Sequence, residues 1–191
     1  MRIASPSRPM MMSRTDKEAR LKDFIGDALA ARGEDPARDS GVALFVRNPE
    51  SPAARALMAA CSEGHAEAAH IRILICDTNS DEPGAPSVLD IAGADCRVLA
   101  DPNFGPAHEQ LAIGHSHVWI GDCLRRDPTK CDAFELYHPN DPVSSVFAIA
   151  SFEKLWARGR ALKLAQAVEL APEIIAVQAD DANALPLDPR H

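Results

Sequence analysis

The first part of the chain changes from a helical to an extended hydrophobic pattern. In residues 15–32 apolar side chains recur every three or four positions, and Gly33 ends the pattern. The residues that carry this spacing are Leu21, Phe24, Ile25, Ala28 and Leu29. Residues 41–47 (GVALFVR) form a short apolar run between polar neighbours. These patterns predict an amphipathic helix followed by a strand.

A second helix and two further strands are predicted between residues 51 and 99. Ser51 is a typical N-cap residue, and Pro52 suits the first position of a helix, which we place at 52–69. Residues 70–76 (HIRILIC) are strongly apolar and β-branched, as in a strand buried on both faces. A short helix at 87–94 and a strand at 96–99 follow.

The second half of the chain predicts a hairpin, a strand and a long helix. The hairpin pairs residues 109–113 with 117–120, the strand lies at 134–137 and the helix at 144–168. Residues 174–177 suit a last short strand or a turn. The whole order implies an α/β fold, a mixed β-sheet flanked by helices.

Length and composition indicate one domain. A chain of 191 residues suits a single core, which we expect at residues 15–178, between a flexible N-terminal tail (1–14) and a C-terminal tail (179–191). No apolar run is long enough to span a membrane, and no apolar core of a secretory signal follows the N-terminus. The five cysteines include no close CxxC pair. These features favour a cytoplasmic protein with reduced thiols, and the Ala-, Arg- and Pro-rich composition suggests a bacterial source.

The charge balance bears on possible partners. The chain carries 28 acidic and 20 basic residues, a formal net charge of −8, and no Lys/Arg-rich run. An acidic protein without a basic patch is repelled by the phosphate backbone. Nucleic acid is therefore an unlikely partner.

The region from residue 108 to residue 156 carries the candidate chemistry. His108 opens the predicted hairpin, Gly121-Asp122 follows it, Glu135 comes later, and Phe152 and Trp156 lie four residues apart on the last helix. This layout resembles the C-terminal part of a phospholipase D superfamily domain, in which His-x-Lys-x4-Asp, a Gly-Ser-x-Asn turn, a later acid and a Phe-x-x-x-Trp helix occur in this order. The resemblance covers roughly residues 40–165 and implies a single phospholipase D-like domain.

The resemblance also implies a role for each position and shows which groups this chain lacks. His108 stands at the nucleophilic histidine, Gln110 at the lysine, His115 at the aspartate that tunes a histidine, and Glu135 at the later acid. Asp122 stands at the serine that holds phosphate, and Leu124 occupies the asparagine position. A dianionic transition state needs positive charge and fixed donors. Without them, phosphodiester hydrolysis by the family mechanism is improbable.

Several alternatives remain open at this level. A second alignment to the family motif uses His115, His117 and Asp122, but it leaves no Gly-Ser-like turn afterwards. Arg125 and Arg126 follow the turn and can replace the missing positive charge, although we favour a solvated loop with locally paired charges. Scattered His and Cys residues allow a metal site, but their spacing fits no closed zinc module, so we assign no metal. Cys123 is a further candidate nucleophile.

The function that we expect from the sequence is that of a degenerate phospholipase D-like protein. We expect it to bind an anion or a phosphate-containing ligand, or to act as a regulatory module. We expect little or no catalysis and no cofactor. His108, Gln110, Asp122 and Glu135 would surround the ligand. The alternative is a divergent phosphodiesterase or phosphotransferase that uses His108 as nucleophile. By resemblance, a one-domain chain is expected to form a homodimer, with faces carrying Trp119, Leu124 and Phe134 as candidate contacts.

Overall fold

A seven-stranded mixed sheet forms the centre of the computed structural model, which describes residues 13–31, 41–65, 69–78, 87–101, 105–124 and 135–162. The strands are β1 (Val42–Val46), β2 (Ile71–Ile75), β3 (Asp95–Leu99), β4 (His108–Ile113), β5 (His117–Cys123), β6 (Leu136–His138) and β7 (Gly159–Ala161). Their spatial order is β6-β5-β4-β1-β2-β3-β7. Strands β1, β2 and β3 run parallel to one another, and the other neighbours are antiparallel. The predicted α/β class, with a mixed sheet flanked by helices, is confirmed.

In the described parts of the chain, three α-helices cover the two faces of this sheet. Helices α1 (Arg14–Ala30) and α2 (Pro52–Ser62) pack on one face, over the side chains of Leu44, Ile73 and Leu111. Helix α3 (Pro142–Trp156) packs on the other face, over Phe45 and Leu74. Because successive strand residues point to opposite faces, every position of a strand can be assigned to the α1/α2 side or to the α3 side.

Local capping explains where α2 begins, and a glycine lies just after it ends. The Ser51 side chain accepts a hydrogen bond from the Ala54 amide, as the sequence predicted. The prediction that this helix reaches residue 69 is wrong, because α2 ends at Ser62 and Gly64 adopts a positive φ of 82°. Glycine accepts that conformation at little cost and commonly closes a helix. The predicted helix at 87–94 is a short 3-10 helix (Val88–Asp90).

The end of α3 also differs from the prediction. We predicted a helix over residues 144–168, but α3 stops at Trp156 and the chain turns into β7. Arg97 of β3 donates a hydrogen bond to the Trp156 carbonyl at 2.8 Å and lies over the Trp156 ring at 4.4 Å. Gly159 then allows β7 to approach β3 closely, since a Cβ there would lie 3.0 Å from Arg97 Cβ. Instead of continuing as a helix after Trp156, the chain forms β7, which pairs with the edge of β3.

The other predicted boundaries of strands and of the domain fall partly outside the described residues. The predicted strand at 134–137 is β6, shifted to Leu136–His138. The predicted tails and the segment 174–177 lie in the undescribed parts of the chain, so the domain limits 15–178 stay a prediction. Within the described residues, no helix is long and apolar enough to cross a bilayer.

Candidate functional site

A β-bulge in β5 turns Asp122 towards helix α1. Strand β4 pairs His108 with Cys123 and Glu109 with Gly121, so Asp122 is the extra residue between two paired positions. Its φ is +38°, a left-handed conformation that Asp tolerates better than most side chains. A bulge redirects the side chain that it carries. Asp122 would face α3 by strand alternation, and the bulge instead lets it reach the α1 side.

The redirected carboxylate belongs to a buried ion cluster centred on Lys17. Lys17 Nζ lies 2.6 Å from Asp122 Oδ1 and 2.9 Å from Glu135 Oε1, and it lies 5.7 Å from the Trp119 ring centroid. The Lys17 side chain is fully buried, and that of Glu135 is 3% exposed. Burial opposes the charge on Lys17, but the hydrogen bonds and charges of Asp122 and Glu135 outweigh it and raise its pKa. Lys17 is therefore a charged residue that links α1 to β5 and to the residue before β6.

Two neighbours complete the walls of the cluster. The Tyr137 hydroxyl donates a hydrogen bond to Glu135 Oε2 at 2.9 Å, which fixes that carboxylate from the second side. Burial, followed by the charge of Glu135, raises the pKa of Tyr137. Gly121 leaves the space that Trp119 fills, because a Cβ on Gly121 would lie 2.3 Å from Trp119 Cζ2. The cluster thus needs glycine at 121 as well as the bulge at 122.

Glu109 lies beside this cluster as a buried carboxyl. It is 2% exposed, and its Oε1 accepts a hydrogen bond from the Arg47 amide at 2.9 Å. Its other oxygen has no hydrogen-bond partner among the described residues. Burial raises the pKa of Glu109 to about 8, against the hydrogen bond from the Arg47 amide, and the charge of Asp122 adds to the rise. At neutral pH this side chain is mostly a neutral acid.

The structure divides the predicted site residues between the two faces of the sheet. Asp122 and Glu135 come together through Lys17 on the α1/α2 side. His108 and Gln110 alternate with the buried Glu109 and Leu111, which places them, half-buried, on the α3 side. The four residues that we expected to surround one ligand therefore do not converge.

His115 lies far from the other candidates. It is exposed in the turn that joins β4 to β5, whereas His108 is at the opposite end of β4. Five strand steps from His108 to Ile113 span about 17 Å. Arg125 and Arg126 fall outside the described residues, as do Cys131, Phe134 and the side chain of Cys123. In the described part of the chain, no three His, Cys, Asp or Glu side chains form a group that could hold a metal ion.

Two further expectations concern the face that was predicted for dimer contacts. Trp119 is completely buried under α1, so its assignment to an exposed face is wrong. A large aromatic side chain on the α1/α2 side of a central hairpin fills the core there. Leu124 is half-buried and packs against the hydrophobic core between the sheet and α3.

Arg47 is a functional candidate that the sequence did not reveal. In the antiparallel register of β1 and β4, Phe45 lies opposite Gln110, and continuing the register places Arg47 opposite His108. Arg47 follows β1 in a bend, and its amide donates a hydrogen bond to Glu109 Oε1 at 2.9 Å, so it lies beside the start of β4. Burial and the charge of Glu109 raise the pKa of Cys76 to about 11, and the nearby charge of Arg47 opposes them. A cation thus lies among the carboxyl ends of β1 and β2.

We did not identify Lys17 and Glu109 from the sequence, although each is a charged residue at a position where the pattern predicts a buried apolar one. Lys17 precedes Leu21, Ile25 and Ala28 on the apolar stripe of α1, where a lysine is unexpected. Glu109 alternates with Leu111 and Ile113 on the buried face of β4. A charged residue at a core position needs a partner, so each of these positions predicts a buried ion pair or a neutral acid.

Comparisons with known proteins add a distant likeness of fold. No family model matches the chain, and no curated protein matches it. Among solved structures, it is similar to the crystal structure of a phospholipase D family member, Nuc from Salmonella typhimurium, with a TM-score of 0.46 and 12% sequence identity. The likeness covers 74% of this chain and 90% of that chain. At this identity it does not extend to the chemistry of this chain.

Proposed function

We propose that this chain is a non-catalytic binding module that holds a phosphate-containing anion where β1 ends and β4 begins. Arg47, His108 and Gln110 would contact the anion from the α3 side of the sheet. The observation that carries the proposal is the division of charge across the sheet. His108 and Gln110 lie on the α3 side, and Arg47 lies beside the start of β4. Asp122 and Glu135 are turned to the other face and bound to Lys17. A homodimer is part of the same proposal.

The chemistry of these side chains suits anion binding. A guanidinium offers several N–H donors in a planar array that matches phosphate oxygens. His108 and Gln110 add further N–H donors, and all three side chains are half-buried rather than fully solvated. Partial burial strengthens hydrogen bonds to an anion, because fewer water molecules compete for the donors.

The same arrangement argues against turnover. A histidine that attacks phosphorus needs positive charge on the oxygens that develop charge in the transition state. Lys17 cannot move to such an oxygen, since it is fully buried, lies on the opposite face and is already paired with two carboxylates. One arginine can bind a ground-state anion, but it does not replace the full set of donors that lowers the barrier.

Binding is tested with inorganic phosphate as the probe. Titration followed by amide chemical shifts should give millimolar affinity, with the largest shifts at Arg47, His108 and Gln110. Arg47→Met keeps the aliphatic stem, removes the charge and should weaken binding about tenfold. Arg160→Met, an exposed arginine on the far edge strand β7, is the matched control and should bind like the wild type. Equal loss in both variants would mean that only overall charge matters.

Turnover is tested with bis(p-nitrophenyl) phosphate, using the wild type and His108→Ala with and without EDTA. We expect no hydrolysis by either protein. Hydrolysis that disappears in His108→Ala and survives EDTA would overturn the non-catalytic proposal and establish a histidine nucleophile. Hydrolysis that EDTA abolishes would point to a metal-dependent reaction and would overturn it as well.

A further inference from the structure

The outer surface of α3 carries an apolar stripe that faces away from the sheet. Among the described residues, four large apolar side chains are exposed, and three of them lie on the first turns of α3: Val143 (66%), Val146 (62%) and Phe147 (72%). The exposed Ala150 extends them to the spacing i, i+3, i+4 and i+7. The opposite side of the helix, with Ala148 and Phe152, is buried against the sheet. The first half of α3 is therefore apolar on both sides.

The two serines in this part of α3 form hydrogen bonds within the protein. Ser144 Oγ donates a hydrogen bond to the capping Asp141 Oδ2 at 2.6 Å, and Ser145 Oγ donates one to the Gly114 carbonyl at 3.1 Å. Neither hydroxyl group is part of the apolar stripe. A helix that is hydrophobic all round is normally covered on all sides. Contiguous exposed apolar residues of this kind mark an interaction surface.

We propose that the stripe formed by Val143, Val146, Phe147 and Ala150 is the surface on which two copies of this chain pack α3 against α3 in antiparallel orientation. This deepens the homodimer of the proposed function and rests on it. About a two-fold axis, Phe147 of each copy lies over Ala150 of the other. A large side chain then meets a small one twice, which is the reciprocity that an isologous contact requires.

Charge supports a second copy as the occupant. Two molecules of net charge −8 repel one another, so a self-contact must lie where the surface is nearly neutral. Residues 136–152 contain one carboxylate, Asp141, and one histidine, His138, whose Nδ1 lies 3.4 Å from it. The antiparallel arrangement also brings the exposed Lys154 of one copy towards Asp141 of the other. At the C-terminal end of the stripe, the exposed Glu153 is paired with Arg72 at 2.6 Å, so the stripe is close to neutral along its length and Lys154 can complement Asp141 at its ends.

The area of the stripe sets the strength of the contact. Two turns of helix bury less than the roughly 1,600 Å² of a standard interface, which indicates a weak, concentration-dependent dimer. In such a contact, a central aromatic side chain carries much of the binding energy. Phe147 occupies that position.

Sedimentation velocity of the full chain from about 1 μM to about 1 mM tests the surface. We expect a monomer–dimer equilibrium, in which Phe147→Glu raises the dissociation constant at least about 30-fold. Because Phe147 is 72% exposed, the substitution should leave the fold intact, which circular dichroism checks. The matched control is Ala30→Glu, which adds the same charge at an exposed position on α1, on the other face of the sheet.

Each other outcome overturns the inference in a distinguishable way. A dimer that Phe147→Glu leaves unchanged would keep the homodimer and reject this surface. A wild type that stays monomeric up to the highest concentration would reject both. In that case, slow exchange of α3 amides with solvent would indicate that another part of this chain covers the stripe. Phosphate binding is measured on the same samples, so its failure is seen separately.

Discussion

Replacing Lys17 with methionine is expected to lower the free energy of unfolding by about 3–5 kcal/mol. Methionine fills a similar volume but leaves Asp122 and Glu135 without the cation that both contact within 2.9 Å. Both carboxylates are largely buried, so water cannot solvate them in place of the ammonium group. Urea denaturation at neutral pH measures the loss.

The same helix offers a matched control. Lys22 also lies 2.9 Å from a carboxylate oxygen, that of Glu63, but both side chains are substantially exposed. Lys22→Met should lose only a small fraction of what Lys17→Met loses, because exposed ion pairs contribute little to stability. Similar losses in the two variants would show that burial does not govern the energy of the Lys17 cluster.

Neutralising the orphaned carboxylates should restore stability to Lys17→Met. The triple variant Lys17→Met/Asp122→Asn/Glu135→Gln removes all three charges while nearly keeping the volumes, and buried ion clusters can often be replaced by neutral side chains without loss. Asparagine also tolerates the positive φ at position 122. A triple variant no more stable than Lys17→Met would mean that the methionine fails by packing and not by leaving charges unpaired.

Replacing Glu109 with glutamine is expected to remove a pH dependence from the stability. Burial raises the pKa of Glu109 to about 8 in the folded protein, from an ordinary value of 4.5. Between these two values the folded state keeps a proton that the unfolded state releases. The contribution of Glu109 is therefore fully present below about pH 4.5 and is lost as pH rises towards 8. The loss can reach roughly 5 kcal/mol, at about 1.4 kcal/mol for each pH unit.

The measurement is the difference in unfolding free energy between Glu109→Gln and the wild type from pH 5 to pH 9. Glutamine imitates the neutral acid, so the difference should be small at pH 5, should increase in favour of the variant and should level off near pH 9. Glu63→Gln, compared in a His65→Asn background, is the control. The hydrogen bond from Lys22 lowers the pKa of Glu63, and with His65 removed from its place 3.6 Å away the difference should stay constant over this range. A constant difference for Glu109→Gln too would show that this carboxyl ionises normally in the folded protein.

The histidine hairpin shows how far sequence reasoning reaches into the candidate site. Alternation correctly placed Leu111, Ile113 and Val118 in strands, and this alternation assigns His108 and Gln110 to one face. It could not place Asp122, because a bulge adds one residue and reverses the alternation beyond it. The expected convergence of Asp122 with His108 came from the resemblance, which placed Gly121-Asp122 in a turn after the strand, whereas both residues belong to β5.

What the sequence determined by itself was local. Side-chain periodicity, the Ser51-Pro52 start of α2 and the order of helices and strands are properties of neighbouring residues, and they were sufficient to predict an α/β fold with a mixed sheet. Tertiary structure decided where α3 ends, that Phe45 lies opposite Gln110 across β1 and β4, and that Lys17 pairs with Asp122, 105 positions away. A buried charge is stable only where distant strands bring the opposite charge into contact, and hydrophobic patterning does not encode that meeting point.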